Sequence, residues 1–297
     1  MMRVTQKLLF GNFMRDVNQN RGDAGRIQSD LSSGKRVRVA SQDPVSFQRA
    51  RITEENIRKD EQFQSNLQNG LRQARLAQDT LGKMIDGLIE IKALAVNGSS
   101  DSYGEENRDN MADQVQGIKS TLANSLNLSY GDRFLFAGTN SDQQPFEVDD
   151  ATGQVTNNSN GKNISVKAGD GVNIDFGVNG QELASTPSGD LFGILEELEQ
   201  KLRDNDQQGI NDMLTSLDDT VEHVTDVTSR LGNNINRMDY MFEQYESSKI
   251  AQRSDVSELV DTDYAQAFSD MQRNQVAYES AMAVHTSMFK NTLLNYL

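Results

Sequence analysis

Residues 210–245 read INDMLTSLDDTVEHVTDVTSRLGNNINRMDYMFEQY, and the spacing of their apolar side chains decides the architecture. Alternating steps of four and three pass through Ile210, Leu214, Leu217, Val221, Val224, Thr228, Leu231, Ile235, Met238, Phe242 and Tyr245. All but Thr228 are apolar, which is the pattern of a helix packed along its length against another helix. A long bundle or coiled-coil helix is therefore required here.

Working outward, Leu191, Ile194, Leu195, Leu198 and Leu202 give a shorter helix starting near Asp190 and ending at Asp204–Gly209. Before it the texture changes. Gly131 to Gly189 holds nine of the 22 glycines and two of the three prolines. Phe134-Leu135-Phe136, Ile164 with Val166, and the alternating Val172, Ile174, Phe176 and Val178 read as short strands separated by turn residues. Further back, Asp43 caps a helix with Pro44 in its first turn, and Leu67, Leu71, Ala74, Gln78, Leu81, Ile85 and Leu88 carry its seam towards Asn97. Ser102 and Glu105 match a capping box that opens a third helix bearing Met111, Val115, Ile118 and Leu122.

Both ends carry seams of their own. Phe10, Phe13, Val17, Asn20, Ala24, Ile27 and Leu31 keep three-four spacing up to Gly34, a closing position for a helix. Tyr264, Phe268, Met271, Gln275, Tyr278, Met282, His285, Phe289, Thr292 and Tyr296 do the same at the other end. A terminal helix with that much apolar surface needs something to cover it, and a helix pair alone is marginal in water. The fold expected is mainly α with a small β insert: an elongated antiparallel helical bundle or coiled-coil rod, an inserted β domain, and both termini together at one end. Residues 1–43 and 254–297 are the terminal coiled-coil segments, 44–130 and 190–253 the helical rod, and 131–189 the β insert.

Composition narrows the function. The net charge is −15, which argues against nucleic-acid binding. Residues 1–38 nevertheless hold eight basic and three acidic groups, a net of +5, while 254–297 hold two basic and six acidic, a net of −4. That asymmetry favours pairing of the terminal helices within or between subunits. There is no cysteine, so neither disulfides nor thiolate chemistry arise, and no run is long and apolar enough to span a membrane. No secretory-type apolar segment opens the chain, so export, if it occurs, is expected without a cleaved signal.

Candidate chemistry is sparse. His223 and His285 are the only histidines, and neither belongs to a metal-ligand pattern. Gly169-Asp-Gly171 lacks the lysine and the strand-to-helix setting of a phosphate loop. Asp218-Asp219 and Asp261 with Asp263 read as solvated or capping groups. No nucleophile stands beside a base, so an enzyme is not expected, and no cofactor or metal is implied.

The runs Leu31-Ser-Ser-Gly-Lys-Arg-Val37, Asp43-Pro-Val45, Arg133-Phe-Leu-Phe-Ala-Gly-Thr139 with Pro145-Phe146, Asp261-Thr-Asp-Tyr-Ala265 and Thr292-Leu-Leu-Asn-Tyr-Leu297 together resemble the flagellin superfamily, and within it the hook-associated protein 3 branch. The pattern usually has two acids before the equivalent of Pro44, where Gln42-Asp43 keeps one. The resemblance implies a structural, hook-filament junction component of the bacterial flagellum, secreted through the flagellar type III apparatus, with either an external or a periplasmic flagellum. It implies terminal segments that are disordered in the monomer and fold into coiled coil on assembly. Implied partners are the first hook-filament junction protein, flagellin, further copies in a ring-like layer, and an export chaperone. Matched to the family, the assembly interface falls on Phe10, Phe13, Val17, Ile27, Leu31, Phe268, Met271, Tyr278, Met282, Phe289 and Tyr296. The rival readings are flagellin itself and a soluble helical adaptor or export chaperone.

Overall fold

The computed structural model describes residues 2–149 and 152–294, with side chains from Lys7 to Ser287 apart from Leu9. In chain order the elements are α1 (Met2–Ser33), α2 (Pro44–Gly98), α3 (Glu105–Ser125), β1 (Ser129–Tyr130), β2 (Arg133–Phe134), β3 (Phe146–Val148), β4 (Val155–Asn157), β5 (Ser165–Gly169), β6 (Val172–Asp175), α4 (Gly180–Ala184), β7 (Ser185–Thr186), β8 (Gly189–Asp190), α5 (Leu191–Arg203), α6 (Gln207–Val260) and α7 (Tyr264–Leu294). The chain is mainly helical with a small β insert. Contacts divide it into two compact units, residues 59–248 and residues 1–58 with 249–297.

In the larger unit, α2 and α6 run antiparallel. Gln64 Nε2 donates to Glu246 Oε2 at 2.8 Å, Arg75 pairs with Asp239 at 2.8 Å, and Lys92 pairs with Asp218, so rising numbers on one helix meet falling numbers on the other. The seam begun at Ile210 is buried as expected at Ile210, Leu217, Val224, Leu231, Ile235 and Met238. The buried stripe is wider than one seam, because Met213, Thr220 and Val227 are also buried. A straight helix of period 3.6 turns a strict 3.5 pattern slowly off its partner, and neighbouring positions take over the contact. Thr220 is fully buried, its hydroxyl satisfied by the Ser216 carbonyl at 2.7 Å.

Helices α3 and α5 pack on each other around an ion pair that the periodicity does not announce. Lys119 is buried among apolar side chains, and its Nζ meets Glu199 Oε2 at 2.9 Å. Arg203 also reaches Glu199, at 3.2 Å, and bonds Asp113 at 2.8 Å, which raises the guanidinium pKa further. At the end of α2, buried Arg108 donates to the Gly98 carbonyl at 2.7 Å and the Ser100 carbonyl at 2.9 Å. It thereby satisfies carbonyls that the helix terminus leaves open. Its third contact is the side chain of Asn205, the one non-glycine residue described with positive φ, at 56°.

The insert consists of four two-stranded antiparallel ribbons: β1–β2, β3–β4, β5–β6 and β7–β8. Three local expectations need correction, the first being that Ile164, Phe176 and Val178 lie outside the strands, since β5 starts at Ser165 and β6 ends at Asp175. Phe134-Leu135-Phe136 is not a strand throughout, since only Arg133–Phe134 pairs, and Leu135 and Phe136 continue as buried irregular chain. The Phe136 carbonyl accepts the Gly180 amide at 2.7 Å and the Leu135 amide goes to Leu128 O at 3.0 Å, so their backbone is satisfied without a ladder. The capping box at Ser102 does not form either. The α3 N-cap is Gly104, without a side-chain cap bond, and Glu105 is already the first helical residue. By contrast β5–β6 pairs Val166 with Ile174 as the alternation requires, with a bulge between Lys167 and Gly169.

Candidate assembly surface

The smaller unit is built on α1 and α7. Gly34 closes α1 at φ +69°, its amide bonding the Asp30 carbonyl at 2.9 Å, and the chain turns into a short clasp. Lys35 forms an antiparallel bridge with Asp261. The Arg36 amide donates to Val260 O at 2.8 Å and the Thr262 amide to Gly34 O at 2.9 Å. Beneath the clasp, Val37, Ala50 and Val260 form a small buried cluster with Phe47, Val256 and Leu259 packed against it. This cluster joins the start of α2 and the end of α6 to the clasp.

Asp43 caps α2, its Oδ1 accepting the Val45 and Ser46 amides at 3.1 and 3.0 Å. Hydrogen bonds from Ser46 hold the carboxyl below its ordinary value. Asp43 alone forms the cap, and Gln42 Oε1 accepts the Arg38 amide at 2.7 Å. Asp263 caps α7 through the Gln266 amide at 3.1 Å.

From the clasp, α1 and α7 run back antiparallel. Arg21 reaches the Tyr278 hydroxyl at 3.3 Å and lies over its ring, and Phe13 stacks on His285 with centroids 4.0 Å apart. On α1 the expected seam is the facing one. Val17 is buried, and Phe13, Asn20, Ala24, Ile27 and Leu31 are half-buried, whereas Phe10 stays 48% exposed.

On α7 the facing set is different. Ala267, Asp270, Asn274, Tyr278, Ala281 and His285 are the covered positions. Their steps of three, four, four, three and four average the period of a straight helix. The 3.5-residue seam shares only Tyr278 and His285 with them. Its larger members lie on the neighbouring stripe, with Tyr264 52%, Phe268 59%, Met271 37% and Met282 43% exposed. The structure therefore gathers Phe13, Val17, Ile27, Leu31 and Tyr278 along the α1/α7 seam and leaves Phe10, Phe268, Met271 and Met282 uncovered. The Phe289 side chain and Tyr296 lie outside the described residues.

Sequence reading missed Ala267, Asp270, Asn274 and Ala281, because apolar periodicity passes over small and polar positions. Alanine at two turns lets the helices approach, and that recurrence was the available signal. His223 has a structural contact, its Nε2 lying 2.8 Å from the Glu182 carbonyl.

Phe268, Met271 and Met282 thus stand open on one of the two paired terminal helices. Residues 6–141 match the bacterial flagellin N-terminal helical region, and residues 214–297 match the bacterial flagellin C-terminal helical region. The chain belongs to the flagellin superfamily. Within the superfamily it is similar to the flagellar hook-associated protein 3 of Salmonella typhimurium, 20% identical over 309 residues covering 97% of each chain. It is also similar to the flagellin of Listeria monocytogenes, 22% identical over 288 residues covering 95% of this chain and 94% of that one. Among solved structures, a protein of Vibrio parahaemolyticus described as a flagellar hook-associated protein shares the fold with a TM-score of 0.67 at 20% identity, over 74% of this chain and all of that one. The two family matches include α1 from Gln6 onward and the whole of α7, so the superfamily's terminal helices are the pair described above.

Proposed function

We propose that this chain is a structural subunit of the hook-filament junction of the bacterial flagellum, secreted and assembled through α1 and α7. The observation that carries the reading is the uncovered ridge of Phe268, Met271 and Met282 on α7, with Phe10 on α1. Such a row of large apolar side chains is a surface to be buried by neighbours. In this reading the ridge is the assembly interface, and Phe289 and Tyr296 extend it. Neighbouring copies form a layer that meets the first junction protein on one side and flagellin on the other. The paired α1/α7 conformation is the assembled one, and in the free monomer the two terminal segments are unfolded until an export chaperone or a neighbouring subunit covers them. The small insert favours the junction over the filament; coverage does not separate the two, at 97% of the hook-associated protein 3 and 94% of the Listeria flagellin.

A deletion strain tests the assignment. Loss of this chain leaves hooks in place while flagellin is shed into the medium. Flagella that are merely shorter or weaker would mark it as a flagellin, a reading that the similarity to the Listeria flagellin also supports. Limited proteolysis of the purified monomer tests the folding claim, with early cleavage expected inside 1–43 and 254–297. Resistance there would turn the reading towards a soluble adaptor.

A further inference from the structure

The run Arg133-Phe-Leu-Phe-Ala-Gly-Thr139 takes no part in the terminal helices, and its last residues close around one side chain of the insert. Gly138 stands at φ +71°, and a Cβ there would collide with Asn160 Oδ1 and with the Asn160 and Lys162 carbonyls. The bare glycine is what admits Asn160. Once seated, Asn160 Oδ1 accepts the Thr139 amide at 3.0 Å and the Lys162 amide at 3.4 Å. Its Nδ2 donates to Thr139 Oγ1 at 2.8 Å, and its own amide to the Ala137 carbonyl at 3.4 Å.

The next residue is Gly161. In an asparagine-glycine pair the following amide nitrogen can attack the carboxamide carbon with little hindrance, because glycine has no side chain to block the approach. The chain has four such pairs, at 69–70, 97–98, 160–161 and 179–180. Gly70 and Gly98 are buried within α2, where amides are taken up by helical hydrogen bonds. Gly180 is buried too, and its amide donates to the Phe136 carbonyl at 2.7 Å. Of the four glycines only Gly161 is exposed, and among the described residues its amide has no hydrogen-bond partner.

We propose that Asn160 and Gly161 form a self-modifying site, whose surroundings activate loss of the Asn160 side-chain nitrogen. The Lys162 bond closes an Asx turn that holds the carboxamide over the Gly161 peptide. The Gly161 nitrogen attacks Asn160 Cγ, a solvent base takes the amide proton, and negative charge gathers on Oδ1. Two backbone N–H groups already point at that oxygen, the arrangement that stabilises an oxyanion. In the tetrahedral intermediate Nδ2 is an amine and takes the hydroxyl proton of Thr139. The Cγ–Nδ2 bond breaks, ammonia leaves, and Thr139 recovers its proton from solvent. Water then opens the five-membered imide at either carbonyl, giving aspartate or isoaspartate at position 160. One water is consumed and one ammonia released, so no oxidant or cofactor enters. The isoaspartate form adds a carbon to the main chain and pulls apart the Ala137 and Thr139 contacts that seat the side chain. The proposal stands apart from the assembly reading of α1 and α7.

The test incubates the purified full chain in mildly alkaline buffer, folded and in urea, and follows deamidation by mass spectrometry with isoaspartate labelling by a methyltransferase. Trypsin puts the four pairs on separate peptides, since lysine or arginine lies between each pair and the next. Conversion of Asn160 is expected at least about tenfold faster in the folded chain than in urea, where the preorganised surroundings are lost. The other three pairs convert more slowly folded than unfolded. A folded rate at Asn160 equal to or below the urea rate would overturn the proposal and mark its hydrogen bonds as a restraint. Thr139→Val removes the hydroxyl and keeps the backbone amide. It slows folded conversion by about threefold or more, since the leaving nitrogen loses its proton donor. An unchanged or faster rate in that variant would overturn the part given to Thr139.

Discussion

Replacing Phe268 by serine isolates the contribution of the α7 ridge, because the side chain does little in its own chain. It is 59% exposed beside α1. A buried phenylalanine removes on the order of 150 Å² or more from water, so a neighbour has roughly 100 Å² left to cover. At about 25 cal/mol per Å² that is worth up to about 2.5 kcal/mol. Association realises only part of such a term, since ordering and imperfect fit offset it. The expected loss is therefore about 1 to 2.5 kcal/mol, or roughly 5- to 70-fold in the self-dissociation constant. Sedimentation equilibrium of wild type and Phe268→Ser gives that ratio directly, and urea unfolding of the larger unit serves as the control because it should not move. Equal association constants would refute the argument that this ridge is an assembly contact. A fall in association matched by a fall in intrinsic stability would refute the claim that Phe268 is idle within the chain.

Three further outcomes test the structure elsewhere. Glu199→Leu leaves Lys119 charged and buried without its carboxylate and should cost about 3 to 5 kcal/mol in urea unfolding, whereas Lys119→Met with Glu199→Leu should return to within about 1 to 2 kcal/mol of wild type; additive losses would show that the pair is not coupled. Gly138→Ala forces a side chain into φ +71° and against the Asn160 and Lys162 carbonyls, each 2.7 Å from the added carbon, so a loss of about 2 kcal/mol or more is expected, and an unchanged melting temperature would count against this turn geometry. Asp43 is held below its ordinary 3.8 by its cap bonds. A depressed carboxylate stabilises the folded form above its unfolded pKa and loses that contribution as pH falls through the lower folded value. Amide exchange at Val45 and Ser46 should therefore be protected near neutral pH and lose protection below about pH 4, with Asp43→Ala removing the pH dependence; a flat wild-type profile would refute the cap assignment.

The long helices were legible because each repeats one signal many times. The run from Ile210 to Met238 has so many apolar positions in phase that a single exception, Thr228, does not disturb it. The caps at Gly34 and Asp43 were legible for a different reason, since each depends on one residue type meeting a local backbone demand. Where the reading failed, the deciding partner was distant. Leu135 and Phe136 satisfy their backbone against Leu128 and Gly180 rather than in a strand. Ser102 lost its cap because α3 begins at Glu105. The burial of Lys119 and Arg108 depended on Glu199 and Asn205, some eighty and ninety-seven positions away.

The candidate surface divides along the same line. By itself the sequence determined that both ends are helical, that each carries an apolar stripe, and that the two are oppositely charged, because these properties are local and additive along a helix. Which stripe of α7 turns towards α1 was decided only by tertiary structure. A straight helix presents positions at its own 3.6-residue period to an antiparallel partner, so small residues at 267 and 281 took the inner face and Phe268, Met271 and Met282 were turned outward.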